Sequence, residues 1–107
     1  MRTRTLRPEF FEIHASAPAA LLLLGLTSMA DREGRLLDRP RLICSRVFPL
    51  RDEITAADVD RLLDELRAAG AVRRYETGGV QVVEVVDFVR QQRIHHREPA
   101  SELPACA

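Results

Sequence analysis

Lysine is absent from this 107-residue sequence, so every long cationic side chain is an arginine. Sixteen Arg balance sixteen Asp and Glu, which excludes a bulk field that would attract nucleic acid or a membrane surface. The charges are nevertheless uneven along the chain. Residues 1–51 contain nine Arg and five acidic residues, whereas residues 52–76 contain four Arg and seven acidic residues. Any basic surface is therefore expected in the N-terminal half.

Cysteines and long apolar runs are also scarce. Cys44 and Cys106 lack the spacing of a disulfide framework, which favours two reduced thiols in a cytoplasmic protein. The longest apolar run, residues 17–26, is too short to span a bilayer, and no signal-peptide pattern precedes it. With 46% apolar residues the chain can build one modest core. We therefore expect one soluble, cytoplasmic domain with no membrane partner.

The clearest local pattern is an amphipathic helix at residues 55–69. Its apolar residues recur at the spacing of one helix face: Val59, Leu62, Leu63 and Leu66. Its charged residues fall on the opposite face: Asp60, Arg61, Asp64, Glu65 and Arg67. Thr55 can cap the first turn while Asp58 reaches back, and Gly70 can end the helix with a positive φ. Two β-rich segments follow, joined by a Gly-Gly pair at 78–79 that suits a tight hairpin turn.

Three elements are predicted upstream of that helix. Residues 17–29 form a helix that is apolar almost all round, capped by Ser16, and such a helix belongs in the middle of the domain. Gly34 allows a turn before a short strand at 35–37 that can pair with the later hairpin, and Pro40 opens a further helix. The residues of that further helix expected to face inward are Leu42, Ile43 and Val47.

This order of elements predicts an α+β fold, namely a winged helix-turn-helix with a three-helix core, a short strand and a C-terminal β-hairpin as the wing. The helix at 55–69 takes the recognition position. We expect the winged-helix domain to span residues 1–88. Residues 89–107 are predicted to form an extended, partly disordered C-terminal tail that leaves the core at Phe88.

A series of short segments also occurs in the order and spacing of a known family. These segments are Arg7-Pro-Glu-Phe-Phe11, Leu24-Gly-Leu26, Met29-Ala-Asp-Arg-Glu-Gly-Arg-Leu36, Asp38-Arg-Pro40, Val47-Phe-Pro49, Leu62-Leu-Asp-Glu-Leu66, Ala69-Gly70, Arg74-Tyr-Glu76, Asp87-Phe88, and Gln92-Arg93 through Arg97-Glu98. Nearly the whole chain thereby resembles the winged-helix domain of phage replisome-organiser and replication-initiation proteins, of the type found in actinobacterial phages and prophages. Thr27 stands where the family often has Trp. The resemblance implies a role in replication initiation, with replication proteins as partners.

Nucleic-acid binding requires cations placed to meet phosphates. The candidates on the second helix and the turn after it are Arg39, Arg41, Arg46 and Arg51. In the recognition helix Thr55 and Arg61 are the candidate contacts, whereas the carboxylates of that helix have the wrong sign for phosphate. The candidates in the tail are Arg90, Arg93 and Arg97, which can track a backbone as basic arms do. The alternative is that these arginines are simply a solvated face.

Other functions are compatible with the same fold. The acidic helix 55–69 can instead mediate protein–protein interaction or dimerisation, and a transcriptional regulator of this fold is not distinguished from a replication protein by sequence. Asp60 and Asp64 are interpreted as a solvated face rather than a catalytic pair. No catalytic motif, phosphate loop or zinc spacing occurs. The sequence thus predicts a non-enzymatic DNA-binding module without cofactor or metal, whose main partner is double-stranded DNA.

Overall fold

The computed structural model describes residues 15–86 and 103–105 of the chain. Within this part, three helices and a three-stranded antiparallel sheet form an α+β fold, which confirms the predicted class. The elements are α1 (Ala17–Met29), β1 (Arg35–Leu37), α2 (Pro40–Val47), α3 (Ala56–Ala68), β2 (Val72–Thr77) and β3 (Val80–Val85). The predictions that fall outside the described residues include the domain boundaries at residues 1 and 88, the tail over residues 89–102, and the state of Cys106.

Helix α3 forms as its sequence predicts. The Thr55 hydroxyl accepts a hydrogen bond from the Asp58 N–H at 3.2 Å, and the Asp58 carboxylate accepts one from the Thr55 N–H at 2.9 Å. This reciprocal capping box satisfies amides that the first helical turn leaves without partners. Gly70 follows the helix with a φ of 80°, where a side chain would be strained. The four predicted core residues are all buried: Val59, Leu62, Leu63 and Leu66.

The sheet is organised by the hairpin of β2 and β3. Gly78 and Gly79 have φ values of 59° and 77°, and positive φ at both positions is what a type I′ turn requires. The turn sets the register, with Thr77 opposite Val80 and Tyr75 opposite Val82. Strand β1 pairs antiparallel with β3, so the strand order is β1-β3-β2 and the early strand joins the hairpin as predicted.

The two faces of the sheet have different surroundings. Leu36, Val72, Val83 and Val85 belong to the core cluster together with the helices. Because side chains alternate along a strand, their neighbours lie on the opposite side. We call that opposite side the outer face and define it by four residues: Arg35, Tyr75, Val82 and Glu84.

Helix α1 packs against α2 and α3, and its approach to α2 is close. A Cβ built on Gly25 would lie 2.6 Å from Val47 Cγ2, which is shorter than any ordinary carbon contact. Two predictions overestimated how much of the surface of these helices is buried. Leu21 is 49% exposed, so α1 is not enclosed on all sides, and Leu42 is 39% exposed rather than inward-facing. Leu42 precedes the fully buried Ile43, and one residue of helix rotates a side chain by about 100°, away from the core.

Among the described residues, no helix has both the length and the apolar character needed to span a bilayer. The same residues contain no group of three or more His, Cys, Asp or Glu side chains arranged to hold a metal ion. Cys44, within α2, is a half-buried free thiol whose Sγ donates to the Ile54 carbonyl at 3.3 Å. That contact ties α2 to the segment leading into α3.

Candidate nucleic-acid interface

The surface of α2 carries arginines but no acidic residues. From Arg39 to Arg51 the chain contains four Arg and no Asp or Glu. Arg39, Arg41 and Arg46 are exposed, and none forms an ion pair with another described residue. Their guanidinium groups are therefore available to an external anion. The structure places Arg41 and Arg46 on α2 and Arg39 at the N-cap position of the same helix.

Arg51 lies in the turn after α2 and, unlike the three arginines above, has an acidic side chain nearby. Its Nη1 lies 3.7 Å from the Glu53 carboxylate, but the two side chains are 63% and 67% exposed. An ion pair so long and so solvated contributes little, typically under about 1 kcal/mol. Arg51 can therefore exchange Glu53 for an external anion at small cost. It extends the basic surface from α2 into the turn.

The predicted contacts on α3 are occupied by the helix itself. The Thr55 hydroxyl is part of the capping box, and Arg61 Nη2 lies 3.0 Å from Asp58 Oδ1. Hydrogen bonds from the Thr55 backbone N–H, and then from its hydroxyl, hold the pKa of the Asp58 carboxyl below its usual value. Thr55 and Arg61 thus serve the start of α3, although the Arg61 side chain remains 74% exposed.

A cluster around Arg74 was missed by reasoning from the sequence. Arg74, on β2, donates to Asp38 through Nε at 2.7 Å and through Nη2 at 2.9 Å. It also donates to Asp60 at 2.7 Å and to Asp64 at 3.1 Å. The hydrogen bonds to Asp38 are the largest cause of a raised pKa for this guanidinium, which is 16% exposed. Asp60 and Asp64 are half exposed, yet they are ion-paired rather than simply solvated.

One feature of the sequence could have indicated that Arg74 has a partner within the protein. Arg74 follows Val72 at a spacing of two, so strand alternation places it on the same side as a core residue. A charge at such a position requires a buried partner. The sequence does not identify that partner, because Asp38 lies 36 residues away from Arg74 and is brought close to it only by the sheet.

Glu65 also has a structural partner. Its carboxylate accepts hydrogen bonds from the Ser16 backbone N–H and from the Ser16 hydroxyl, the latter at 3.0 Å. These contacts, the backbone one first, hold the pKa of Glu65 below its usual value. A carboxylate at the start of α1 also complements the positive end of the helix dipole. Every carboxylate of α3 therefore has an intramolecular partner: Asp58, Asp60, Asp64 and Glu65.

The hairpin offers few cations of its own. Arg73 pairs with Glu84 at 3.2 Å, and Arg35 pairs with the same carboxylate at 3.0 Å. The turn at its tip, residues 77–80, carries no charged residue. The basic surface in the described part is therefore on α2 and not on the hairpin. The predicted tail contacts lie outside the described residues: Arg90, Arg93 and Arg97.

The chain was compared with known proteins at three levels. Neither the protein-family models, nor the curated proteins, nor the solved structures yielded a match. The geometry of the basic α2 surface and of the paired α3 carboxylates is thus the basis for a functional proposal.

Proposed function

We propose that this chain is a winged-helix DNA-binding module that contacts the phosphates of duplex DNA mainly through α2. The carrying observation is the separation of paired and unpaired arginines. Arg39, Arg41 and Arg46 have no ion-pair partner among the described residues, whereas the arginines of α3 and the sheet are paired. Unpaired, exposed cations can neutralise phosphates without first breaking internal contacts, and such contacts supply most non-specific affinity.

The layout supports the winged-helix part of the proposal. Three helices precede a β-hairpin, and the short β1 completes the sheet beside β3. In this arrangement α3 is in the recognition position and the hairpin is the wing. Asp60 and Asp64 are partly neutralised by Arg74, which lowers the repulsion between α3 and a phosphate backbone. The proposal therefore assigns α3 a supporting position and assigns the affinity to α2.

A role in phage replication initiation rests on the resemblance described above. A transcriptional regulator of the same fold would use the same surface, because fold does not fix function. The neighbouring genes distinguish these roles. Genes for a helicase loader, a primase or a single-strand-binding protein beside this one would support replication. A divergently transcribed operon would instead support regulation.

The DNA-binding proposal predicts a steep salt dependence. Each neutralised phosphate contributes about 0.9 to the slope of log K against log salt. The Arg39/Arg41/Arg46 triple Ala variant should therefore flatten the slope by roughly two to three units, with little change in sequence preference. The measurement is fluorescence anisotropy with random and candidate-site duplexes across a salt series.

A matched control removes the same charge from paired positions. The Arg61/Arg67/Arg73 triple Ala variant loses three exposed but ion-paired guanidinium groups. It should leave the slope within about one unit of wild type, since at most one phosphate contact would be lost. Failure of the wild type to bind duplex at low salt, or equal slopes for wild type and the α2 variant, would refute the proposal.

The alternative of an acidic interaction helix gains no support from the geometry. Its motivating feature was a charged α3 surface, but the four carboxylates of α3 are engaged within the chain. Its decisive measurement is the molar mass in solution by light scattering, with and without the Asp60→Asn and Asp64→Asn changes. An oligomer dissolved by these changes, together with absent duplex binding, would establish the interaction module instead.

A further inference from the structure

Leu103 and Pro104, in the described segment 103–105, lie against the outer face of the sheet. Arg35 Nη1, from β1, donates to the Leu103 carbonyl at 3.1 Å, and the Tyr75 hydroxyl, from β2, donates to the Pro104 carbonyl at 2.8 Å. Two consecutive backbone carbonyls are thus bound by side chains from the two edge strands, on either side of β3. Leu103 and Pro104 are half-buried there.

The same face has an apolar floor. Val82, on β3, is fully buried although it is not part of the core cluster on the helical side. It pairs in register with Tyr75, whose ring carries the hydroxyl that reaches Pro104. A fully buried valine on the side away from the helices needs a cover. The described groups sharing this side with it include Tyr75 and residues 103–105.

Glu84 contacts both of the side chains that donate to the segment. Its Oε1 accepts from Arg35 Nε at 3.0 Å and lies 3.4 Å from the Tyr75 hydroxyl. A tyrosine hydroxyl has one proton, so the shorter contact to Pro104 takes it while the segment is bound. When the segment leaves, the Tyr75 hydroxyl can donate its hydrogen bond to Glu84, which still accepts one from Arg35 Nε. Both side chains then keep Glu84 as a hydrogen-bond partner, which lowers the cost of releasing the segment.

We propose that the outer face is a peptide-docking surface whose occupant is this chain's own segment 103–105, held in cis and released reversibly. The two donors bind backbone carbonyls, so the site recognises the peptide backbone more than a side chain. Pro104 suits this mode because its φ is fixed and it needs no N–H partner. The surface therefore fits a short proline-containing peptide, and the chain supplies that peptide itself.

The test uses the full chain with a nitroxide spin label on Cys106 in a Cys44→Ser background. Paramagnetic broadening should be strongest at the Tyr75 ring and at the Val82 methyls. Tyr75 is the single tyrosine of the sequence, so its signals are assigned without ambiguity. Tyr75→Phe and Arg35→Gln, read out at Val82, should each remove most of the broadening. Arg73→Gln is the matched control, since Arg73 pairs with Glu84 but does not bind the segment.

Reversible docking adds a competition experiment. A synthetic peptide of residues 101–107 should relieve the broadening once its concentration exceeds the effective concentration of the tethered segment, which is on the order of millimolar for an intramolecular ligand. Broadening that persists unchanged at several times that concentration would overturn the docking surface. Full broadening in both donor variants would also overturn it. Broadening transferred between chains in a mixture of spin-labelled and isotope-labelled protein would overturn occupancy in cis.

Discussion

Helices α2 and α3 follow one another in the chain but use their residues differently. Helix α3 has thirteen residues, four of them buried, and begins in a complete capping box. Helix α2 has eight residues, one buried in full, and its start has no side-chain cap. The α3 carboxylates are engaged within the protein, whereas the α2 guanidinium groups find no ion-pair partner in the described part.

The difference shows that exposure alone does not make a charged residue available. Asp60 is 54% exposed, yet its carboxylate is held by Arg74 at 2.7 Å. Arg41 is also exposed but has no such partner among the described residues. An external ligand must break an internal contact at the first position and none at the second. We therefore expect substitutions on α3 and its partners to change stability, and substitutions on α2 to change binding.

The largest expected effect contrasts the apolar residues of the two helices. Leu63→Ala should lower the free energy of unfolding by roughly 2 to 5 kcal/mol, because it opens a cavity in a packed core. Leu42→Ala, at a 39% exposed position, should lower it by less than about 1 kcal/mol. Urea denaturation of both variants measures this contrast. Equal losses would mean that α2 is as embedded as α3.

The second contrast concerns paired and unpaired arginines. Arg74→Ala should destabilise the protein by about 3 kcal/mol, because it strands the Asp38 carboxylate, which is 8% exposed. Arg41→Ala should change stability by no more than about 0.5 kcal/mol. Arg74→Lys should recover part of the loss, since an ammonium cannot reproduce the two-pronged contact with Asp38. If Arg74→Ala left the free energy of unfolding unchanged, the contacts of Arg74 would not stabilise the packing of α3 against the sheet.

A smaller effect tests how closely α2 packs against α1. Alanine usually favours a helix over glycine by about 1 kcal/mol. At Gly25 the added Cβ would meet Val47 Cγ2 at 2.6 Å, and overpacking typically costs roughly 1 to 3 kcal/mol. Gly25→Ala should therefore be destabilising by about 1 kcal/mol. In a Val47→Ala background the same change should become neutral or stabilising, and thermal melts of the four proteins complete the cycle.

The smallest expected effect is an acid-dependent loss that originates at α3. The pKa values of Asp58 and Glu65 are lowered by hydrogen bonds from Thr55 and Ser16. Their stabilisation is therefore complete above the unfolded-state values, about 3.9 for Asp and about 4.3 for Glu, and is lost as the pH falls through the lower folded values. Asp58→Asn and Glu65→Gln should each flatten the fall of Tm below about pH 4.

The control for that acid effect is Asp52→Asn. The Asp52 carboxylate makes no hydrogen bond or ion pair with another described residue, so its removal should leave the acid limb of the stability curve unchanged. An unchanged acid limb in the Asp58 and Glu65 variants would show that the helix caps do not contribute through their charge. Scanning calorimetry between about pH 2 and pH 7 spans both unfolded-state values and the neutral plateau.

The sequence by itself determined the features that depend on neighbours along the chain. The capping box of Thr55 and Asp58, the positive φ of Gly70 and the Gly-Gly turn all formed as predicted. The apolar spacing of α3 identified its buried face for the same reason, because helical periodicity is a local property. The class of fold and the pairing of β1 with the hairpin followed from the order of these elements.

Only the tertiary structure decided which charged side chains form ion pairs and hydrogen bonds within the protein. Asp38 and Arg74 lie 36 residues apart, and Ser16 and Glu65 lie 49 apart, so no local pattern joins them. Leu42 was misplaced because an eight-residue helix has too few apolar positions to define its inward face by spacing alone. Ion pairing and burial depend on distances in space, and those distances are fixed only when the helices and the sheet pack together.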